Sequence, residues 1–269
     1  MRRRERFSWG RLALGGFAAA VFTFLMLPLL VVFPISLSSA SYLQFPPPGL
    51  SWQWYERYLN DASWMEATWR SVKAATLCTI IAMGLGVPLS FLLARSRLRG
   101  IRVLDRVAAA PIIVPTIIFS ISIYGLFARL GLIGVWQGVA VAHAVLALPF
   151  VVILVTAGLR GFDEAQEQAA EGLGASWPVA VWRITLPQLR PSLVSAGFLS
   201  FVSSFDELVV SMFLSGASMT LPKKMFDNIM MEIDPTIAAV SVLQILLVGV
   251  CLGLASIFGR GALTTTITR

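Results

Sequence analysis

The sequence predicts an all-α integral membrane protein with six transmembrane helices, and three observations carry that prediction. Of 269 residues, 57% are hydrophobic and only 13% charged, with a mean hydropathy of +0.79, well outside the composition of soluble domains. Six apolar runs reach spanning length, residues 12–37, 74–94, 107–128, 135–159, 192–215 and 236–258. Each satisfies its own backbone hydrogen bonds as a helix, which the bilayer core demands. Lys and Arg, finally, gather in alternate gaps between the runs.

Those gaps set the orientation. Arg2, Arg3, Arg4, Arg6 and Arg11 precede or open the first run; Arg95, Arg97, Arg99, Arg102 and Arg106 lie between the second and third. Arg160, Arg183 and Arg190 border residues 161–191, and Arg260 and Arg269 end the chain. With six spans all of these fall on one side, and the positive-inside rule makes that side cytoplasmic. Both termini and residues 161–191 are therefore expected in the cytoplasm. A net charge of +7 and a pI near 10.1 would suggest nucleic acid for a soluble protein. Here the charge sits in short clusters beside apolar runs, so the partner is the lipid bilayer and no nucleic acid is expected. The first run is too long for a signal h-region and lacks a small-residue cleavage site, which predicts an uncleaved first helix.

The outer loops fit this topology. Residues 38–65 carry Pro46-Pro47-Pro48-Gly49, which cannot continue a helix, then Trp52, Trp54, Tyr55, Tyr58 and Trp64, expected as anchors in the aromatic belt. Residues 216–235 hold Lys223, Lys224, Asp227, Glu232 and Asp234, a loop long enough to touch a partner. Within the spans, Pro28, Pro34, Gly84, Gly86, Pro88, Pro111, Pro115 and Pro149 permit kinks or close helix approach. No internal repeat or linker divides the chain, so residues 1–269 are expected to form a single transmembrane domain.

Few side chains offer chemistry. Asp206 and Glu207 are the only adjacent acids within a predicted span. A charge at membrane depth costs roughly 2.5–3.5 kcal/mol, so such residues face a cavity or a partner. Neighbours on a helix diverge by about 100°, so the two cannot point the same way, and either is a candidate for a substrate pathway. His143, the sole histidine, would relay protons only if a titratable partner such as Asp206 or Glu207 came near; a hydrogen-bonded packing role is expected. Cys78 and Cys251 lie in apolar runs and form neither a disulfide framework nor a metal motif. Phosphate-cradling glycine loop, HExxH motif and nucleophile elbow are all missing from the sequence. We therefore expect no catalytic site, metal or cofactor, and if energy is consumed, another polypeptide supplies the nucleotide chemistry.

Residues 161–191, GFDEAQEQAAEGLGASWPVAVWRITLPQLRP, are the polar interruption of the chain. Asp163 and Glu164 begin a short helix, where acids complement the N-terminal dipole. Gly172 and Gly174 end it, glycine suiting the left-handed conformation beyond a helix terminus. Ser176 is placed to cap a second helix, with Pro178 tolerated in its first turn, and Leu186-Pro187 is expected to stop it. Two short helices on a sharp bend make a knob that would fit a socket on a soluble partner.

The spacing Gln168-Ala169-Ala170, then Gly174, Ile184 and Leu186-Pro187 resembles the EAA loop of binding-protein-dependent ABC importer permeases: Glu-Ala-Ala, three residues, Gly, nine residues, Ile, one residue, Leu-Pro. The stretches FPPPGLSWQWYERYLND, AHAVLALPFVV, SFDELVVSMFLSG and TLPKKMFDNIMMEIDPTIAAVS look like the spermidine/putrescine, PotC-like branch. The resemblance implies a type I ABC importer permease fold in a bacterial inner membrane. It also implies ATPase coupling through Glu164, Glu167, Gln168, Ala169, Ala170, Glu171, Gly174, Ile184, Leu186 and Pro187. Gln168 replaces the usual glutamate, and Glu167 or Glu171 is left to supply the charge. The implied partners are a second, PotB-like permease subunit, two cytoplasmic ATPase subunits that hold ATP and Mg, and a periplasmic substrate-binding protein. Polyamines are the implied substrate. Another small organic solute is the alternative, and a stand-alone ion-coupled carrier would need its gate and ion site in this one chain.

Overall fold

A computed structural model describes residues 9–96, 98–231 and 234–259. Arg2, Arg3, Arg4, Arg6, Arg97, Arg260 and Arg269, used above for topology, and Glu232 of the third outer loop lie outside the described residues. In order the elements are α1 (Trp9–Ser36), α2 (Gln53–Asn60), α3 (Ala62–Arg95), α4 (Ile101–Ile113), α5 (Thr116–Arg129), α6 (Trp136–Arg160), α7 (Ala165–Gly172), α8 (Trp177–Ala180), a π-helical turn (Val181–Thr185), α9 (Leu186–Gln188), α10 (Arg190–Phe205), α11 (Val209–Leu214), α12 (Leu221–Met231) and α13 (Thr236–Gly259). The all-helical architecture agrees with the prediction. Two compact units are present, one of residues 1–61 with 228–245 and one of residues 62–227 with 246–269.

Four helices among the described residues are long and apolar enough to cross a membrane: Ala13–Ser36 within α1, α3, α6 and Thr236–Ile257 within α13. The predicted third span, 107–128, is not one straight helix. It is the pair α4 and α5, bent by 104°, and the pair counts as a fifth span only if taken together. Val114 leaves the helix at φ −78°, ψ 124° because Pro115 supplies no N–H and disfavours a helical residue before it. The predicted fifth span, 192–215, is likewise interrupted: α10 stops at Phe205 and α11 resumes at Val209. The second run starts earlier than its hydropathy suggests. Helix α3 begins at Ala62, since Arg70 and Lys73 break an apolar count but not a helix.

In the first unit, the segment from Ser36 to Tyr55 is pinned by side chains. The Trp54 indole donates to the Ser38 carbonyl at 2.8 Å, and the Ser36 and Tyr55 hydroxyls lie 2.8 Å apart. Arg57 sits 3.2 Å from Asp234, whose carboxylate also accepts the Thr236 N–H and hydroxyl at the start of α13. The aromatic belt expected here is only partly one. Trp54 and Tyr58 are buried, while Trp52 is exposed; Trp64, in α3 of the second unit, is buried too. Trp54 and Tyr58 fall at i and i+4 of α2, on its inward face.

The core of the second unit is α6 packed against α3 and α10. In lipid no hydrophobic force drives helices together, so association relies on close van der Waals contact at small residues. The interface obeys this: Ala75, Cys78, Ala82, Ala140, Ala147 and Ala196 are fully or almost fully buried. A Cβ on Gly86 would lie 2.6 Å from Val151 Cγ1, and one on Gly158 would lie 2.4 Å from Ser192 Oγ. These glycines set how closely α3 and α10 approach α6.

Candidate functional site

Residues 161–191 fold into the predicted knob, with its backbone groups accounted for. The Asp163 carboxylate accepts the Ala165 N–H at 3.0 Å and Glu164 occupies the N-cap of α7. At the other end, Gly174 takes φ +93°; its N–H reaches the Glu171 carbonyl at 2.9 Å and the Ala175 N–H reaches the Ala170 carbonyl at 3.0 Å. That pair of bonds is a Schellman closure, and its left-handed residue is why a glycine stands at this position. Gly172, by contrast, remains helical.

The second half departs from expectation in two ways. Ser176 precedes α8 in extended conformation, as predicted, but its hydroxyl makes no capping bond, and Pro178 enters the first turn. Leu186-Pro187 does not stop the helix. The turn Val181–Thr185 widens to π geometry, the Leu186 N–H bonds back to the Val181 carbonyl, and the chain runs on through α9 into α10. Proline has no N–H to give, and a π turn absorbs that missing bond without ending the helix.

The centre of the knob is Glu167, 5% exposed. Both its oxygens receive the guanidinium of Arg95, the last residue of α3, at 2.7 Å each. The Thr185 hydroxyl also donates to this carboxylate. Arg95 further lies 4.0 Å from Glu164, with its guanidinium carbon 5.0 Å from the Phe91 ring centroid. Burial alone would raise the Glu167 carboxyl pKa; the hydrogen bonds from Arg95 and Thr185 and the Arg95 charge outweigh it and hold the group below its ordinary value. Gln188 closes the knob by donating to Gln166 at 2.6 Å.

Around this centre the remaining motif residues sort by exposure. Glu164, Gln168 and Glu171, at i, i+4 and i+7 on one face, are all exposed, as are Ala169, Gly174 and Pro187; Ala170, Ile184 and Leu186 are half-buried. Of the two glutamates proposed to replace the missing charge at Gln168, Glu167 is thus committed inward and Glu171 is turned out. Arg95 and Thr185 escaped the sequence reading. In the sequence Arg95 is legible only as a topology charge, and its position at the end of an apolar run is the one signal of a further role.

The two adjacent acids divide as well. Glu207 is half-buried, its carboxylate accepting the Val210 N–H at 3.1 Å and its carbonyl accepting the Ser211 hydroxyl at 3.0 Å. It therefore holds the first turn of α11. Asp206 is exposed at the C-cap of α10, where the helix dipole is negative. His143 is 2% exposed, and its Nδ1 lies 2.8 Å from the Ser204 hydroxyl, so its partner is a serine and not either acid. Cys78 is buried and Cys251 half-buried, both free.

Comparisons with known proteins complete the picture. Residues 86–264 match the family model of binding-protein-dependent transport system inner membrane components. The chain is 31% identical over 245 residues to the spermidine/putrescine transport system permease protein PotC of Escherichia coli (strain K12), covering 88% of this chain and 90% of the relative. It is 32% identical over 241 residues to the putrescine transport system permease protein PotI of the same organism, covering 85% and 84%. Its fold is similar to that of a bacterial ABC transporter involved in the import of the acidic polysaccharide alginate, with a TM-score of 0.72 at 20% identity over 94% of this chain and 98% of that one. Family match, sequence identity and helical fold agree: the chain belongs to the binding-protein-dependent transport system inner membrane components, the permeases of ABC importers.

Proposed function

We propose that this permease carries polyamines such as putrescine or spermidine from periplasm to cytoplasm across a bacterial inner membrane, with both termini and the knob on the cytoplasmic side. It works beside a second, PotB-like permease subunit, a periplasmic substrate-binding protein and two ATPase subunits. ATP and Mg belong to those ATPases, and this chain binds no cofactor of its own. Closure of the ATPase dimer pushes on the knobs, and the helices convert the push into alternating access. The exposed stripe Glu164–Gln168–Glu171 and the Gly174 bend form the docking face.

The observation that carries the substrate class is Asp206. It stands exposed where α10 breaks, and a broken membrane helix offers a cation both a negative dipole end and, here, a carboxylate. Of the two acids Asp206 is the more exposed, whereas the Glu207 carboxylate faces the Val210 N–H at the start of α11. An acid in a low-dielectric path attracts a cationic amine. The identities to PotC and PotI support the same reading, while the fold shared with an alginate importer marks another solute as the alternative.

The test is Asp206→Asn in the complete complex, reconstituted in proteoliposomes with labelled putrescine. Uptake should fall by roughly tenfold or more, since one charge contact contributes between about 1 kcal/mol in water and about 4 kcal/mol at an effective dielectric of about 20, with assembly intact. Unchanged uptake removes Asp206 from the pathway.

A further inference from the structure

We propose that Arg95 and Glu167 are positioning residues for transport, a tether through which the knob moves α3. This rests on the reading that the knob docks an ATPase. The knob is joined through the chain to α6 at one end and to α10 at the other. Helix α3 has no such connection. It reaches the knob through Arg95, in the two 2.7 Å bonds to Glu167.

The geometry suits transmission of a push. A fork-to-carboxylate pair fixes direction as well as distance, which a single-point ammonium contact does not. The same carboxylate receives Thr185 from the π turn, so both halves of the knob and Arg95 meet at one carboxylate. An eight-residue helix such as α7 is too short to hold its own shape, and it moves with whatever grips it. Packing alone would be served as well by an apolar pair, because a buried ion pair adds little net stability over one.

What α3 does with the push follows from its length. It runs without interruption from Ala62 to Arg95, and in its N-terminal third the Ser71 hydroxyl accepts the buried N–H of Leu221, the first residue of α12. Ser71 and Arg95 are separated by about 36 Å of helix. The tether therefore links the knob to the N-terminal third of α3, beside the start of α12, by a path separate from the chain connections to α6 and α10.

The experiment uses the reconstituted transporter with its ATPase and loaded binding protein, reading both ATP hydrolysis and uptake. Arg95→Glu and Glu167→Arg lose stability, as stranding a buried partner does; compared at equal amounts of assembled, ATP-hydrolysing complex, they should move about tenfold less solute per ATP, within ordinary coupling strengths. Arg95→Lys, which keeps the charge but loses the fork, should fall between these and the wild type. The double exchange Arg95→Glu with Glu167→Arg should restore most of the ratio. Unchanged uptake per ATP in the single variants overturns the tether, as does loss of ATPase copurification that the double exchange fails to repair, since the pair would then only prop the fold. Failure of the unaltered chain to hold the ATPase would instead count against the docking reading.

Discussion

Arg95 and Glu167 lie 72 positions apart in the chain and meet in two hydrogen bonds of 2.7 Å, tying the last turn of α3 to the middle of the knob. Because the carboxylate is buried, removing one partner strands the other. Glu167→Ala should destabilise the second unit by roughly 3 kcal/mol or more, as breaking a buried pair does, and Glu167→Gln by less because an amide still accepts from Arg95. Thermal unfolding of the detergent-solubilised chain measures both, and equal stability of the three proteins would contradict this.

The same pair sets a pH dependence with a definite sign. The Glu167 carboxyl is held below its ordinary value of 4.5, so the folded state binds its proton more weakly than the unfolded state. Its contribution is fully present above about pH 4.5 and is lost as pH falls through the lower, folded value. Glu167→Gln should abolish that acid-side loss. A melting curve repeated across the acid range checks it, and an acid limb that persists unchanged in the variant assigns it to other carboxylates.

At the bend, Gly174 holds φ +93° with nothing within 4 Å of where a Cβ would sit. Space is available there, and only the backbone conformation excludes a side chain. Gly174→Ala should cost about 1 kcal/mol from backbone strain, and Gly174→Asp should add a charge to the docking face and abolish ATPase copurification. Glu171→Gln, on the exposed face beside Gln168, should weaken docking without destabilising the fold. Normal copurification of the Asp variant would remove the bend from the interface.

Much of this was legible in the sequence, and what was not has identifiable causes. The knob could be read because acids, Gly174, Ser176 and the prolines punctuate it locally, each acting within one or two turns. The breaks at Val114–Pro115 and at Asp206–Leu208 were hidden because apolar runs continue on both sides, and a hydropathy window averages across them. Proline in a membrane helix is often absorbed, as Pro149 is within α6, so Pro115 alone did not announce a 104° bend. Partition of the glutamates was invisible for a different reason: Glu164, Glu167 and Glu171 share a composition, and only the arrival of Arg95 from α3 decides which one turns inward.

Between α3 and α6 the limiting contact is Gly86 against Val151, where an added Cβ would come within 2.6 Å of Cγ1. Gly86→Ala should cost about 1–3 kcal/mol by overpacking, and Val151→Ala in the same chain should return part of it by opening the facing position. Yield and melting temperature of the purified complex report both. No loss in the single variant would show that α3 and α6 are less closely packed than this.

Under the proposed function this chain passes cationic amines only when driven by a partner ATPase. The most direct test is uptake of labelled putrescine into proteoliposomes holding the full complex, with ATP present or absent, compared with proteoliposomes holding the permeases without the ATPase. Uptake that requires ATP, the ATPase and the binding protein together is the predicted result. Uptake by the permeases alone, driven by an ion gradient, would contradict it.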